Sequence, residues 1–76
     1  MSLQEKRKEK GLSQSQLANK AGVKFRMLQH YEQGSKDING AKLNTLLNLA
    51  IALECKISDI VTDPELIEKI KMYGIQ

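Results

Sequence analysis

The chain has too few of several residue types to support most alternative readings of it. Its 76 residues include one cysteine, so no internal disulfide framework forms. One cysteine and one histidine cannot supply the ligand set of a zinc finger, and no other metal site or cofactor is expected. Tryptophan is missing, and one Phe with two Tyr brings aromatics to only 4%, so any core must be aliphatic. The unbroken apolar runs are a few residues long, far short of the ~20 that span a bilayer, so no membrane partner is expected. Met1-Ser2-Leu3 leads into charged residues rather than into the apolar stretch of a signal peptide. The expectation is a cytoplasmic protein in a reducing compartment. No Ser/His/Asp set or carboxylate pair is laid out for catalysis, so an enzyme is not expected. The length allows one domain and no sensor, so no small-molecule effector is indicated.

What is present is ordinary globular composition, 41% hydrophobic and 28% charged, with the charge unevenly placed. Residues 1–36 carry eight basic against three acidic side chains, a net +5, and residues 37–76 carry four against six, a net −2. One basic end points to a polyanion partner, although a balance of this size is also common as plain surface solvation.

Helical signals run through the chain and strand signals do not. Ser2 to Lys10 is rich in helix formers and stops at Gly11. Ser13 is placed as an N-cap, Leu17, Ala18 and Ala21 give a short apolar face, and Gly22 ends that helix with φ > 0. Val23 follows as a buried plug. The next helix runs from Phe25 to Gln33 with Leu28 and Tyr31 inward, and Ser35 to Gly40 is a loop by composition. A stronger helix covers Ala41 to Leu53, with Leu43, Leu46, Leu47, Ala50 and Leu53 or Glu54 as its inward face. Ile57, Ile60 and Val61 make one further helical turn. Asp63-Pro64 starts a last helix, lined by Leu66, Ile67 and Ile70 and ending near Tyr73.

The most specific feature is a spacing within residues 14–33. Two short helices that cross at a large angle need a small residue where their backbones approach, and Ala18 supplies it. The link must turn within about three residues, which Gly22 permits. The apolar anchors Leu17, Ala21, Val23, Leu28 and Tyr31 then fall at the offsets of a helix-turn-helix, with Gln14–Ala21 as positioning helix and Phe25–Gln33 as recognition helix.

Gly11-Leu12-Ser13-Gln14-Ser15-Gln16-Leu17-Ala18, Ala21-Gly22-Val23, Tyr31-Glu32-Gln33-Gly34 and Leu46-Leu47-Asn48-Leu49-Ala50-Ile51-Ala52-Leu53 together resemble the phage repressor/Cro-type (XRE-like) helix-turn-helix family. The resemblance covers about residues 3 to 61. It implies an all-α, compact five-helix bundle over residues 1–61; residues 62–76 lie outside it and are expected, from their own helix-start signal and apolar face, as a short helical extension and possible dimerisation element. It implies a regulator that binds double-stranded DNA, commonly as a homodimer on a palindromic operator and most often as a repressor.

The resemblance also assigns roles. Gln14, at the start of the positioning helix, is similar to a phosphate contact, and Arg7 and Glu32 are similar to a structural ion pair. Lys24, Phe25, Arg26 and Gln29 occupy exposed recognition-helix positions, with His30 further along. Lys36 and Asn39 lie in the loop that in the family reaches the sugar–phosphate backbone. Each of these has a plainer alternative. Arg26 is either a guanine contact or a solvated charge, and Gln29 either reads adenine or faces water. Phe25 either meets a thymine methyl or packs on Met27 and Val23. His30 is expected at a base, a phosphate or solvent rather than a metal, because no second ligand is near. Lys24 replaces the usual Ser or Thr cap, which favours a phosphate role. Met27 is expected at the core edge, Cys55 as a small buried hydrophobe, and Lys6 with its stem packed.

Ile51, on a helix face that is usually polar in the family, could join Ile67, Ile70 and Tyr73 in a dimer interface. The alternative is that the last helix folds back onto Ile51 and closes the core. A different class of function also remains open: a protein-binding module, such as an antitoxin or anti-activator component, with a foreign chain docked on that last helix.

Overall fold

Three helix starts in this chain are marked by short side chains, Ser2, Ser13 and Asp63, that replace missing backbone partners. The computed structural model describes residues 2–74. It contains α1 (Leu3–Glu9), α2 (Gln14–Ala21), α3 (Phe25–Gln33), α4 (Leu43–Leu53) and α5 (Pro64–Tyr73), with 3-10 turns at Ile38–Gly40 and Ile57–Asp59. No strand occurs among the described residues. Two reciprocal capping boxes open α1 and α2. Ser2 Oγ accepts the Glu5 N–H at 3.2 Å while Glu5 returns a carboxylate oxygen to the Ser2 N–H at 3.1 Å. The Ser2 side chain, and then its backbone N–H, hold the Glu5 carboxyl below the usual carboxylate range. Ser13 and Gln16 repeat the arrangement at 3.1 and 2.8 Å. Asp63 caps α5, with Pro64 at its first position.

Helix ends are set by left-handed residues. Gly22 has φ +68°, as the helix-turn-helix spacing predicts, and Val23 donates to the Ala18 carbonyl at 2.9 Å to close the turn. Glu54 ends α4 at φ +53°, a conformation that favours glycine.

The core is aliphatic, as the composition requires. Leu17, Leu28, Leu49, Leu53, Ile57, Ile60 and Val61 are fully buried. Helix α2 packs against both α3 and α4, and Ala18, Ala21 and Ala50 are buried among these helices. Met27 packs at the core edge, while Val23 and Cys55 are only half-buried, less than the plug and buried hydrophobe expected of them. Burial and then the Asp59 carboxylate push the Cys55 thiol up. Lys6 lays its stem against the protein with its ammonium 3.7 Å from Glu9.

Three expectations need correction. The helix expected from Ala41 starts at Leu43, because residues before it form a separate 3-10 turn whose Ile38 enters the core. Second, α4 is rotated: its buried side chains are Leu46, Leu49, Ala50, Ala52 and Leu53, while Leu43 is 58% exposed and Leu47 is also exposed. The run from Leu46 to Leu53 is apolar on nearly every side, so periodicity alone cannot fix which face points inward. Third, the proposed interface group divides. Ile70 is buried in the core and Ile67 half-buried, so neither forms a free patch, whereas Ile51 and Tyr73 are 72% and 76% exposed. The last helix therefore joins the core without covering Ile51.

Candidate nucleic-acid interface

The recognition helix is held by one buried carboxylate. Glu32 projects from α3, and its side chain is only 1% exposed. Arg7 of α1 donates to it twice, through Nε to Oε2 at 2.8 Å and Nη2 to Oε1 at 3.0 Å. The remaining guanidinium nitrogen, Nη1, donates to the Leu12 carbonyl at 2.8 Å. Gln14, at the start of α2, donates from Nε2 to Glu32 Oε1 at 3.1 Å. Glu32 thus gathers α1, α2 and α3 at one point, and the fork-on-fork geometry fixes their relative orientation. The Arg7–Glu32 pair stands where the family resemblance implies it. The Gln14 bond was not anticipated. It takes one amide hydrogen and leaves the other, with the carbonyl oxygen, for an outside partner.

Beyond this anchor, α3 presents its N-terminal turn to solvent. Leu28 and Tyr31 are buried, and Lys24, Phe25, Arg26 and His30 are exposed, with Gln29 half-buried. Helical spacing produces this division, because positions 28 and 31 share one face and 26 and 30 the other. Lys24 makes no side-chain cap bond, since an ammonium has no lone pair for a helix N–H, and its side chain is exposed. Phe25 is 44% exposed and lines a shallow hollow with Ser15, Ala18, Asn19 and Val23. The side chain is therefore partly covered and partly open to solvent. Ser15 and Asn19 flank the recognition helix from α2, one helical turn apart. They were not singled out from the sequence, although an outward i, i+4 polar pair on the positioning helix was the available signal.

The loop after α3 is ordered by its own side chains. Ser35 Oγ lies 2.8 Å from His30 Nδ1, and Lys36 donates its N–H to the His30 carbonyl at 3.1 Å. The Lys36 side chain is exposed. Asn39 differs from its expected role. Its Oδ1 accepts the N–H groups of Thr62 and Asp63 at 2.8 and 3.0 Å, and its Nδ2 donates to Asp37 Oδ1 and Thr62 Oγ1, both at 2.9 Å. The amide is fully engaged within the chain, so it clamps the loop to the start of α5 instead of offering a free group to a phosphate. Thr62 and Asp63 lie 23 and 24 positions away, so no local pattern marks the clamp.

Among the described residues no cluster of His, Cys, Asp and Glu could hold a metal ion, and no helix is long and apolar enough to cross a membrane.

A two-helix unit closed by a left-handed glycine turn, with Lys24 and Arg26 exposed at the start of the second helix, has the form of a helix-turn-helix. Residues 3–60 match the helix-turn-helix family model, and the chain belongs to that XRE-type family, whose members are DNA-binding transcription regulators. No curated protein and no solved structure matched the chain.

Proposed function

We propose that the chain recognises a specific double-stranded DNA sequence as a homodimer, with α3 in the major groove, and represses transcription by blocking a palindromic operator. The observation that carries this reading is the outward tip of α3. Lys24, Phe25, Arg26 and His30 stand exposed on a helix whose base is locked by Glu32. Arg26 reads guanine, Phe25 meets a thymine methyl, and Gln29 and His30 reach neighbouring base edges. Gln14 through its second amide hydrogen, Lys24 and Lys36 contact phosphates and set register. Asn39 contributes by holding the loop that carries Lys36. The protein works in the cytoplasm.

Dimerisation is supported by Leu43, Leu47 and Ile51, exposed at i, i+4 and i+8 on a helix without a charged side chain, and by Tyr73 at the end of α5. A second copy covers this apolar stripe. In the competing reading a foreign protein covers it.

Selection of bound duplexes from a random pool, with a salt titration on the winner, tests the proposal. Two inverted half-sites roughly 34 Å apart are expected. With Lys24 and Lys36 from two protomers, the slope of log K against log salt should be about −3 to −4. A pool that never enriches refutes DNA reading, and a single half-site bound by one protomer refutes the dimer.

A further inference from the structure

His30 belongs to the last turn of α3, and its ring is held by the loop that follows. Nδ1 lies 2.8 Å from Ser35 Oγ. The same hydroxyl donates to the His30 carbonyl at 3.3 Å. That carbonyl stands at the negative end of the helix and also receives the Lys36 N–H. A serine hydroxyl carries a single proton. Directed at the carbonyl, it turns a lone pair toward Nδ1, and the proton of the neutral imidazole then sits on Nδ1. Nε2, at the outer end of the ring, is left with a lone pair.

We infer that Ser35 is a positioning residue that fixes His30 as an outward hydrogen-bond acceptor, so that the recognition helix selects a base bearing an exocyclic amine where His30 reaches. In the major groove only adenine N6 and cytosine N4 offer donors. Guanine O6 and N7 and thymine O4 would set lone pair against lone pair. The selectivity rests on the proposal that α3 enters the major groove, whereas the ring's proton position is a property of the chain alone.

The chain has one histidine, so its ring nitrogens give a single, unambiguous NMR pattern. Nitrogen-15 spectra of the free protein, in alkaline buffer where imidazole is neutral, should show the proton on Nδ1. Ser35→Ala should shift the population to Nε2–H, and Ser35→Thr, which keeps the hydroxyl, should retain the native pattern. Duplex selection with the same three proteins should give adenine or cytosine at one position per half-site for wild type and Ser35→Thr. For Ser35→Ala the preference should fall about fivefold, the worth of one hydrogen bond. A wild-type ring protonated on Nε2 overturns the inference whatever the DNA result. A ring protonated on Nδ1, with no base position that responds to Ser35→Ala, overturns the selectivity. Failure of all three proteins to enrich any sequence overturns the selectivity together with the DNA reading, and the NMR result still decides the ring assignment by itself.

Discussion

Replacing Arg7 by Met should be among the most damaging single changes available to this chain. The side chain is close in length, so packing is largely retained, but three donated hydrogen bonds disappear, two of them to Glu32. The Glu32 carboxylate, 1% exposed, is left with Gln14 as its only side-chain donor among the described residues. Breaking a buried pair in this way costs about 3–5 kcal/mol. A domain of 76 residues has a total stability of roughly 4–11 kcal/mol, so Arg7→Met should lose a large part of it. The double variant Arg7→Met/Glu32→Leu removes the stranded charge and should lie within about 1.5 kcal/mol of wild type, because an apolar replacement of a buried pair is often nearly neutral. Urea denaturation of wild type, both single variants and the double variant measures this as a double-mutant cycle. Urea is preferred to guanidinium because it does not screen charge. If Arg7→Met costs under about 1 kcal/mol, or the two single changes simply add, the pair behaves as a solvated surface contact and the anchoring role of Glu32 is wrong.

Other outcomes follow from the same geometry. Arg26→Ala should weaken operator binding by about 1–3 kcal/mol and relax preference at one base pair, read by competition against duplexes altered at each position. Lys24→Thr should move two quantities in opposite directions. The fold gains about 1 kcal/mol from a side-chain cap that α3 now lacks, while the salt slope of DNA binding falls by about one unit per protomer. Glu54→Gly should stabilise the protein by about 0.5–1 kcal/mol in thermal denaturation, since it relieves a left-handed conformation that costs an ordinary residue about 1–2 kcal/mol. Ile51→Lys, at a position 72% exposed, should leave stability within about 0.5 kcal/mol and shift the molecule to monomer in analytical ultracentrifugation. An unchanged dimer would exclude the α4 stripe as the interface.

Short-range interactions were legible in the sequence, and interactions that cross the fold mostly were not. Ser13 and Gly22 mark their helix ends through bonds to residues within a few positions, and the structure places both as the sequence predicts. The buried set Leu17, Ala18, Ala21 and Leu28 was equally readable, because the tight turn leaves α2 and α3 one way to pack. Arg7 and Glu32 are 25 residues apart and were reached only through family resemblance, since no local pattern pairs them.

By itself, then, the sequence determined an all-α chain, its helix-turn-helix, and the residues at the tip of α3, because caps, turns and the 3.6-residue repeat act over one or two helical turns. The tertiary structure decided the rotation of α4, which exposes Leu43, Leu47 and Ile51 while Leu49 goes inside. It decided that Ile70 is core, that Asn39 is a clamp on Thr62 and Asp63, and that Gln14 leans on Glu32. An apolar run without a polar side has no phase of its own, and an amide has no preferred partner until the fold brings one within 3 Å. Both are settled only when distant segments meet.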